Sequence, residues 1–315
     1  MTERMDFFQR SATMMAFYTD GKYLDALQVA EKLAVEFPEE NATTSFWRVC
    51  LLSRGGKLDE ALKAMSTAMD QGVWWAEYQL RGEDDLASLQ GLTAFETMVV
   101  ECRRRHAKAQ MNSKPNILIR LPSKEGPYPL LIALHARTSS PEREFQTWEP
   151  ILKLGWMLAM PQSSQLGSPN SFVWDDTSRA REEIIYQYEQ LTKKHSIDST
   201  RVILAGMSQG AAMAIQVSLR RLVPVRGFFA VVPGSRQIVM EDFDELLASK
   251  HDIRGYLVVG CRDPRYEMLR QIHTLLNQSG IPCEMENHPE MGHEYPINFD
   301  QSIAKALKFL LKECK

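Results

Sequence analysis

The sequence predicts an all-helical N-terminal domain at residues 1–112, followed by an α/β domain at residues 113–315. In the first region, apolar residues recur at helical spacing and one motif occurs twice. In the second, short apolar runs alternate with longer helical segments. Such alternation is typical of a mostly parallel sheet with helices on both faces, so the predicted fold class is α/β with an all-α region in front.

Composition limits the classes of partner and location. The chain has 315 residues, of which 44% are hydrophobic and 24% charged, enough for two globular cores. Its formal net charge of -3 gives no long-range attraction for nucleic acid or an anionic membrane, so neither is expected as a partner. The first residues lack the apolar stretch of a signal peptide, and no run reaches the roughly 18 apolar residues of a membrane helix. A cytoplasmic location is therefore expected.

Cysteine usage and short motifs give no sign of a metal or cofactor. The five cysteines are scattered and lack CxxC spacing, which favours reduced thiols over a disulfide framework or a zinc site. Neither a GxGxxG motif nor a phosphate-binding loop occurs. We expect no cofactor.

The helical region contains an internal repeat. Residues 21–40 resemble residues 56–72, and a glycine with an Ala-Leu pair recurs 35 positions later. The matching residues are Gly21, Ala26 and Leu27, then Gly56, Ala61 and Leu62. This period resembles the 34 residues of tetratricopeptide repeats, with residues 76–105 as a capping unit. The alternative is a generic helical bundle with two similar hairpins.

The basic stretch from Arg103 to Lys108 is interpreted as a solvated helix end at the domain boundary, with recruitment of an acidic partner as the alternative.

The α/β region has seven predicted strands and four predicted helices. The strands lie at residues 116–122, 129–136, 155–161, 201–206, 227–232, 255–260 and 283–286. The helices lie at residues 177–195, 209–221, 264–279 and 298–313. Ligands of such sheets bind beyond the carboxyl ends of the strands, so functional residues are expected in the loops there.

One of these loops carries a candidate nucleophile. Ser208 is the centre of a GxSxG motif formed with Gly206 and Gly210. The motif alone is weak evidence, since it indicates only a backbone that can bend. Here a β-branched apolar run precedes it and a helix rich in alanine follows it, the strand–turn–helix context of a nucleophile elbow.

A serine nucleophile needs an imidazole base and a carboxylate that orients the base. His293 and His288 both follow the last predicted strand. His293 is preferred because Gly292 would give its loop freedom and the helix starting near Phe299 would fix the loop from behind. Asp263 directly follows the strand at residues 255–260 and is the preferred acid. Asp242 and Asp244, after the preceding strand, are the alternative acids.

These residues resemble those of a known family. Four motifs, LLIALH, VILAGMSQGAAMA, VVGCRDPRY and MGHEYP, resemble those of α/β-hydrolases of the predicted esterase, phospholipase/carboxylesterase and dienelactone-hydrolase-like group. They occur in the family's order over about two thirds of the chain. The resemblance implies an α/β-hydrolase fold with nucleophile Ser208, acid Asp263 and base His293, and serine esterase chemistry.

The expected oxyanion hole departs from the family pattern. One donor would be the backbone N–H of Gln209, the residue after the nucleophile. The other would come from the loop LHARTSSPER, where Ala136 and Arg137 stand in place of the usual glycine. Either N–H is a candidate. The Arg137 side chain is expected either to bind an anionic substrate group or to form a surface salt bridge.

Two aromatic side chains are candidates for substrate binding. His135 precedes the oxyanion loop, and Trp174 lies between an irregular segment and a predicted helix. Trp174 would wall the acyl or alcohol site. In the alternative it packs as a hydrophobic staple while Asp175 or Asp176 caps the helix.

The sequence favours a serine carboxylesterase that acts on a small-molecule ester through an acyl-enzyme on Ser208. The helical repeats would bind a protein partner, mediate self-association or form a lid. One alternative is an inactive hydrolase-fold protein that serves as an interaction module, which the altered oxyanion loop would explain. Another is a serine peptidase or acyltransferase on the same fold.

Overall fold

The computed structural model describes residues 3–234, 240–248 and 252–312. The chain forms two compact units. The first comprises Met1–Lys114 with Ser164–Phe172, and the second comprises Pro115–Ser163 with Val173–Lys315. This division differs from the single boundary predicted after residue 112, because residues 164–172 lie within the second region of the sequence but pack with the first unit.

The first unit is all-helical apart from a short hairpin. Its helices are α1 (Glu3–Thr19), α2 (Tyr23–Glu36), α3 (Asn41–Arg54), α4 (Leu58–Asp70), α5 (Glu77–Gly82) and α6 (Thr93–Gln110), with 3-10 turns at Pro38–Glu40 and Asp84–Leu89. The pairs α1–α2 and α3–α4 have the same design. Gly21 and Gly56 take positive φ of 72° and 74° in the two turns, a conformation that costs glycine little. Ala26 and Ala61 are fully buried, so each second helix packs closely against its neighbours.

The hairpin at residues 164–172 is held to the helical unit by backbone hydrogen bonds. Its strands are β4 (Leu166–Ser168) and β5 (Ser171–Phe172), paired antiparallel. Ala76 N donates to Gly167 O at 2.8 Å, and the Gln110 side chain bonds both Ser164 O and Leu166 N. The sequence here is polar and irregular, which is why periodicity did not predict these strands.

The second unit is built on a seven-stranded sheet. Its strands are β1 (Asn116–Arg120), β2 (Tyr128–Leu134), β3 (Met157–Gln162), β6 (Ile197–Met207), β7 (Gly227–Val231), β8 (Arg254–Gly260) and β9 (Cys283–His288). Their order across the sheet is β1-β3-β2-β6-β7-β8-β9. Only β1 is antiparallel to its neighbour among these described strands. The carboxyl ends of β2, β6, β7, β8 and β9 therefore lie along one edge.

Helices cover the sheet. They are α7 (Pro141–Trp148), α8 (Pro150–Lys153), α9 (Thr177–Lys194), α10 (Gln209–Leu219), α11 (Met240–Leu247), α12 (Tyr266–Gln278) and α13 (Phe299–Leu310). All seven predicted strands and all four predicted helices are present, although β6 begins four residues earlier than expected. The short helices α7 and α8 were not predicted. No helix in the described residues is long and apolar enough to cross a membrane.

Candidate active site

Ser208 lies in a strained turn between β6 and α10. Its φ of 52° and ψ of -115° are unfavourable for a residue with a Cβ, and strain of this kind is typical of nucleophile elbows. The flanking glycines make the turn possible. A Cβ on Gly206 would lie 2.5 Å from the backbone of Gly210, and one on Gly210 would lie 2.2 Å from Leu134 O. The GxSxG pattern is therefore required by close passage of strand and helix.

His293 reaches the serine from the loop after β9. Its Nε2 lies 2.8 Å from Ser208 Oγ, a distance suited to proton transfer between the two atoms. The imidazole is about 30% exposed, so one edge of this pair is open to solvent. The alternative base, His288, instead lies at the end of β9 with its Nε2 3.4 Å from Glu286.

Asp263 orients the imidazole from its other side. Its Oδ2 lies 2.6 Å from His293 Nδ1, and its carboxylate is fully buried. Burial by itself raises the pKa of Asp263, but the hydrogen bond and charge of His293, with the N–H and charge of Arg265, lower it below its usual value. Asp263 is therefore ionised at neutral pH and can stabilise an imidazolium.

Arg265 is a second contact of the imidazole that the sequence did not suggest. Its backbone N–H donates to Asp263 Oδ1 at 2.9 Å, and its guanidinium lies 2.9 Å from His293 Nδ1. A guanidinium only donates, so it cannot share Nδ1 with Asp263 when that nitrogen carries a proton. The shorter contact, with a buried and ionised carboxylate, favours a proton on Nδ1. Nε2 is then the acceptor for the Ser208 hydroxyl, as a general base requires.

The loops that carry the acid and the base are joined by backbone hydrogen bonds. Cys261 N donates to His288 O, and Arg262 N donates to Met291 O, each at 3.0 Å. A Cβ on Gly260 would lie 2.2 Å from Gly292 O, so Gly260 is needed for this close approach. Gly292 has neither a crowded Cβ position nor a positive φ, so this conformation does not itself require a glycine there, while α13 begins at Phe299 as expected.

Gln209 supplies a backbone donor beside Ser208. As the first residue of α10, it has an N–H with no intrahelical partner. Its side chain is fixed, since Oε1 accepts from Trp174 N at 2.8 Å and Nε2 donates to Asp175 at 2.7 Å. A Cβ on Gly234 would lie 3.3 Å from Gln209 N, so this glycine, which sequence reasoning missed, leaves the donor accessible.

The two candidates for the second oxyanion donor, Ala136 and Arg137, lie in the loop after β2. Ala136 N donates to the buried carboxylate of Glu144 at 2.8 Å and is therefore already engaged. Arg137 is the next residue, and its guanidinium forms a two-point salt bridge with Asp175. Within the same loop, Thr138 adopts a positive φ of 57°.

The expectation that His135 and Trp174 contact substrate was wrong for this conformation, because neither side chain is exposed. The two rings stack at 4.6 Å, and Trp174 Nε1 donates to His135 O at 2.9 Å. Asp176 caps α9 by accepting from Arg179 N at 3.0 Å, as the alternative interpretation expected. The stacked pair supports the oxyanion loop from within the core.

Other candidates lie away from the triad or outside the described residues. His106 belongs to α6, and its Nε2 lies 3.0 Å from Leu166 O. In the basic stretch, the arginines pair with Glu77 and Glu101, which neutralises much of their charge. The side chains of Asp242 and Asp244 lie outside the described part of the structure.

The buried His135 predicts a pH-dependent stability. Burial lowers its pKa to about 4, with a smaller opposing effect from its hydrogen bond to Ala136 O. In the unfolded chain, His135 takes up a proton near pH 6.5, whereas in the folded chain it stays neutral until about pH 4. The free energy of unfolding therefore decreases as the pH falls from about 6.5 towards 4. Between pH 6.5 and 4.5, we expect the native protein to lose about 2 kcal/mol more than His135→Gln in urea unfolding. Equal losses in the two proteins would contradict a neutral, buried imidazole.

Two family models match the chain. Residues 8–110 match a model described as the A/B hydrolase-like N-terminal domain, and residues 172–312 match the phospholipase/carboxylesterase model. With the sheet described above, these matches confirm the predicted fold class: an α/β-hydrolase fold preceded by an all-helical region. The tetratricopeptide resemblance stays a prediction.

Among solved structures of similar fold, one of those compared matches nearly the whole chain and two match a little under two thirds of it. An uncharacterized protein from Bacillus cereus ATCC 10987 is 27% identical, with a TM-score of 0.55 over 96% of this chain and 97% of that one. Esterase PE8 is 17% identical, with a TM-score of 0.54 over 62% of this chain and 99% of that one. An S-formylglutathione hydrolase from Staphylococcus aureus is 15% identical, with a TM-score of 0.50 over 63% and 93%. No curated protein matches the chain.

Proposed function

We propose that this protein is a serine hydrolase of the carboxylesterase type, which cleaves a small-molecule ester through an acyl-enzyme on Ser208. The observation that carries the proposal is the continuous hydrogen-bonded chain from Ser208 Oγ through His293 to Asp263, with distances of 2.8 and 2.6 Å. Three side chains from three loops meet in the order and geometry that acyl transfer requires. The phospholipase/carboxylesterase match and the esterase neighbours support the same class.

Acylation begins when Ser208 Oγ attacks the ester carbonyl and its proton passes to His293 Nε2. Asp263 stabilises the imidazolium from Nδ1. The carbonyl oxygen becomes an oxyanion and receives a hydrogen bond from Gln209 N–H. The tetrahedral intermediate then expels the alcohol, which takes the proton from His293, and Ser208 remains acylated.

Deacylation repeats these steps with water as the nucleophile. His293 Nε2 takes a proton from water, the resulting hydroxide adds to the acyl carbon, and the Ser208 oxygen leaves with the proton returned by His293. We assign the second oxyanion donor to the backbone N–H of Arg137, because the N–H of Ala136 is engaged by Glu144. A loop without the usual glycine can still turn sharply here, since Thr138 adopts a positive φ of 57°.

The competing interpretations predict different substrates. We expect p-nitrophenyl acetate, butyrate or octanoate to be hydrolysed, and the matching p-nitroanilides to be cleaved at least about 100-fold more slowly, because an amine is a poorer leaving group than a phenol. The measurement is release of the chromophore under identical conditions for both series. Faster cleavage of an anilide would reassign the protein to the peptidases. Turnover of no ester by folded protein would favour an inactive interaction module.

A further inference from the structure

A buried carboxylate outside the triad contacts two loops of the site. Glu144, in the first turn of α7, has no exposed surface. Its Oε1 accepts from Ala136 N at 2.8 Å, and its Oε2 accepts from the Tyr295 hydroxyl at 2.9 Å. A buried carboxylate is costly unless hydrogen bonds compensate it, so its partners are strongly held in place.

Tyr295 lies two residues after His293 and is fixed to α7 by two hydrogen bonds. Its hydroxyl donates to Glu144 and accepts from Trp148 Nε1 at 3.1 Å. Glu144 and Trp148 are four residues apart, so both project from one face of α7. The Tyr295 ring also packs on Phe299, with ring centroids 5.0 Å apart. The loop that carries His293 is thereby attached to a helix that begins just after the oxyanion loop.

The same carboxylate also fixes the oxyanion loop. By accepting from Ala136 N, Glu144 orients the peptide that precedes Arg137, whose N–H is the proposed second donor. Catalytic groups must hold their geometry within about 0.5 Å, and donors aimed at the oxyanion lose value steeply when misplaced. One side chain therefore sets the position of both the base loop and the oxyanion loop.

We propose that Glu144 and Tyr295 are positioning residues that couple the base His293 to the oxyanion loop after β2. Neither touches the reacting atoms. The inference rests on the proposed serine hydrolase function and adds a structural requirement to it: the donor and the base must be held by one shared hydrogen-bonded link.

The test uses Tyr295→Phe, which removes one hydroxyl and keeps the ring that packs on Trp148 and Phe299. Tyr256→Phe is the matched control, since Tyr256 is also buried and donates to a glutamate, Glu286, at 3.1 Å. We expect Tyr295→Phe to lower kcat for p-nitrophenyl butyrate about tenfold with KM changed less than twofold. The control should keep kcat within twofold. The rate of fluorophosphonate labelling should fall in parallel with kcat.

Glu144→Gln provides a second variant. Its carboxamide can accept from Ala136 N but presents an NH₂ group to a hydroxyl that already accepts from Trp148. We expect the loss of kcat in the double variant to be smaller than the product of the two single losses, because both substitutions break one link. The coupling would be overturned if the two single losses of kcat multiplied in the double variant. It would also be overturned if Tyr295→Phe kept full kcat while its melting temperature fell as much as that of the control. The hydrolase proposal itself would stand in those cases if Ser208→Ala remained inactive.

Discussion

Replacing Ser208 with alanine is expected to reduce ester turnover by about 10,000-fold or more while leaving the fold intact. The variant loses the atom that forms the acyl-enzyme, and triad members act as a unit, so the remaining groups recover little of the rate. Stability should not fall, because the serine backbone is held in a strained conformation by the neighbouring glycines and not by its hydroxyl. The measurement is kcat/KM with p-nitrophenyl butyrate, alongside thermal unfolding.

Ser218→Ala is the matched control for this substitution. Ser218 lies on the same helix, α10, and is buried, and its Oγ has no hydrogen-bond partner among the described residues. The same chemical change should therefore leave kcat/KM within about twofold of native. A native rate in Ser208→Ala would remove Ser208 from the mechanism, and an equal loss in both variants would indicate a general effect on α10.

Replacing Asp263 with asparagine is expected to have the second-largest effect, a fall in kcat on the order of 1,000- to 10,000-fold. The amide NH₂ would face His293 Nδ1, and the imidazole would respond by moving its proton to Nε2. His293 Nε2 would then carry a proton and could not accept the proton of the Ser208 hydroxyl. Arg265 strengthens this effect, because its guanidinium already donates towards Nδ1. The measurement is again kcat with p-nitrophenyl butyrate.

Two comparisons make this prediction specific. Asp198→Asn is the control, since Asp198 bonds Thr200 and Arg201 near the start of β6, at the opposite end of the strand from Ser208. It should keep kcat within about twofold. Asp244→Asn tests the alternative acid, and a larger loss there than in Asp263→Asn would reassign the carboxylate of the triad.

The candidate triad could be chosen from the sequence because each of its residues follows a strand of the predicted sheet. Ser208 follows β6, Asp263 follows β8 and His293 follows β9, and parallel strands bring such loops to one edge. The chain order added independent support. Short apolar runs were sufficient to predict most strands of the main sheet, since buried parallel strands are nearly continuous apolar runs, whereas β9 is largely polar.

Features that depend on contacts distant in sequence could not be predicted. The hairpin at residues 164–172 has a polar sequence and packs with helices more than fifty residues away. Glu144 looks like an ordinary acidic residue in the first turn of a helix, yet its second contact is 151 positions distant. Trp174 and His135 were misassigned because an aromatic residue beside a site has the same sequence signature whether it faces substrate or the core.

The two glycines of the elbow were recognised from the sequence, but the contact that requires them was not. The sequence does not show that a Cβ on Gly210 would clash with Leu134 O in the neighbouring strand. The conformation of the oxyanion loop also could not be predicted from the sequence. The missing glycine suggested impaired catalysis, but the sequence did not show that Thr138 adopts a positive φ and that Glu144 accepts a hydrogen bond from Ala136 N.

We propose that Ser208 is a nucleophile activated by His293. This proposal is tested most directly by intact mass after treatment with a fluorophosphonate, which phosphonylates serines activated by a base. We expect one adduct on the native chain and on Ser218→Ala, and none on Ser208→Ala. An adduct that persists in Ser208→Ala, or a folded native protein that takes no adduct, would contradict it.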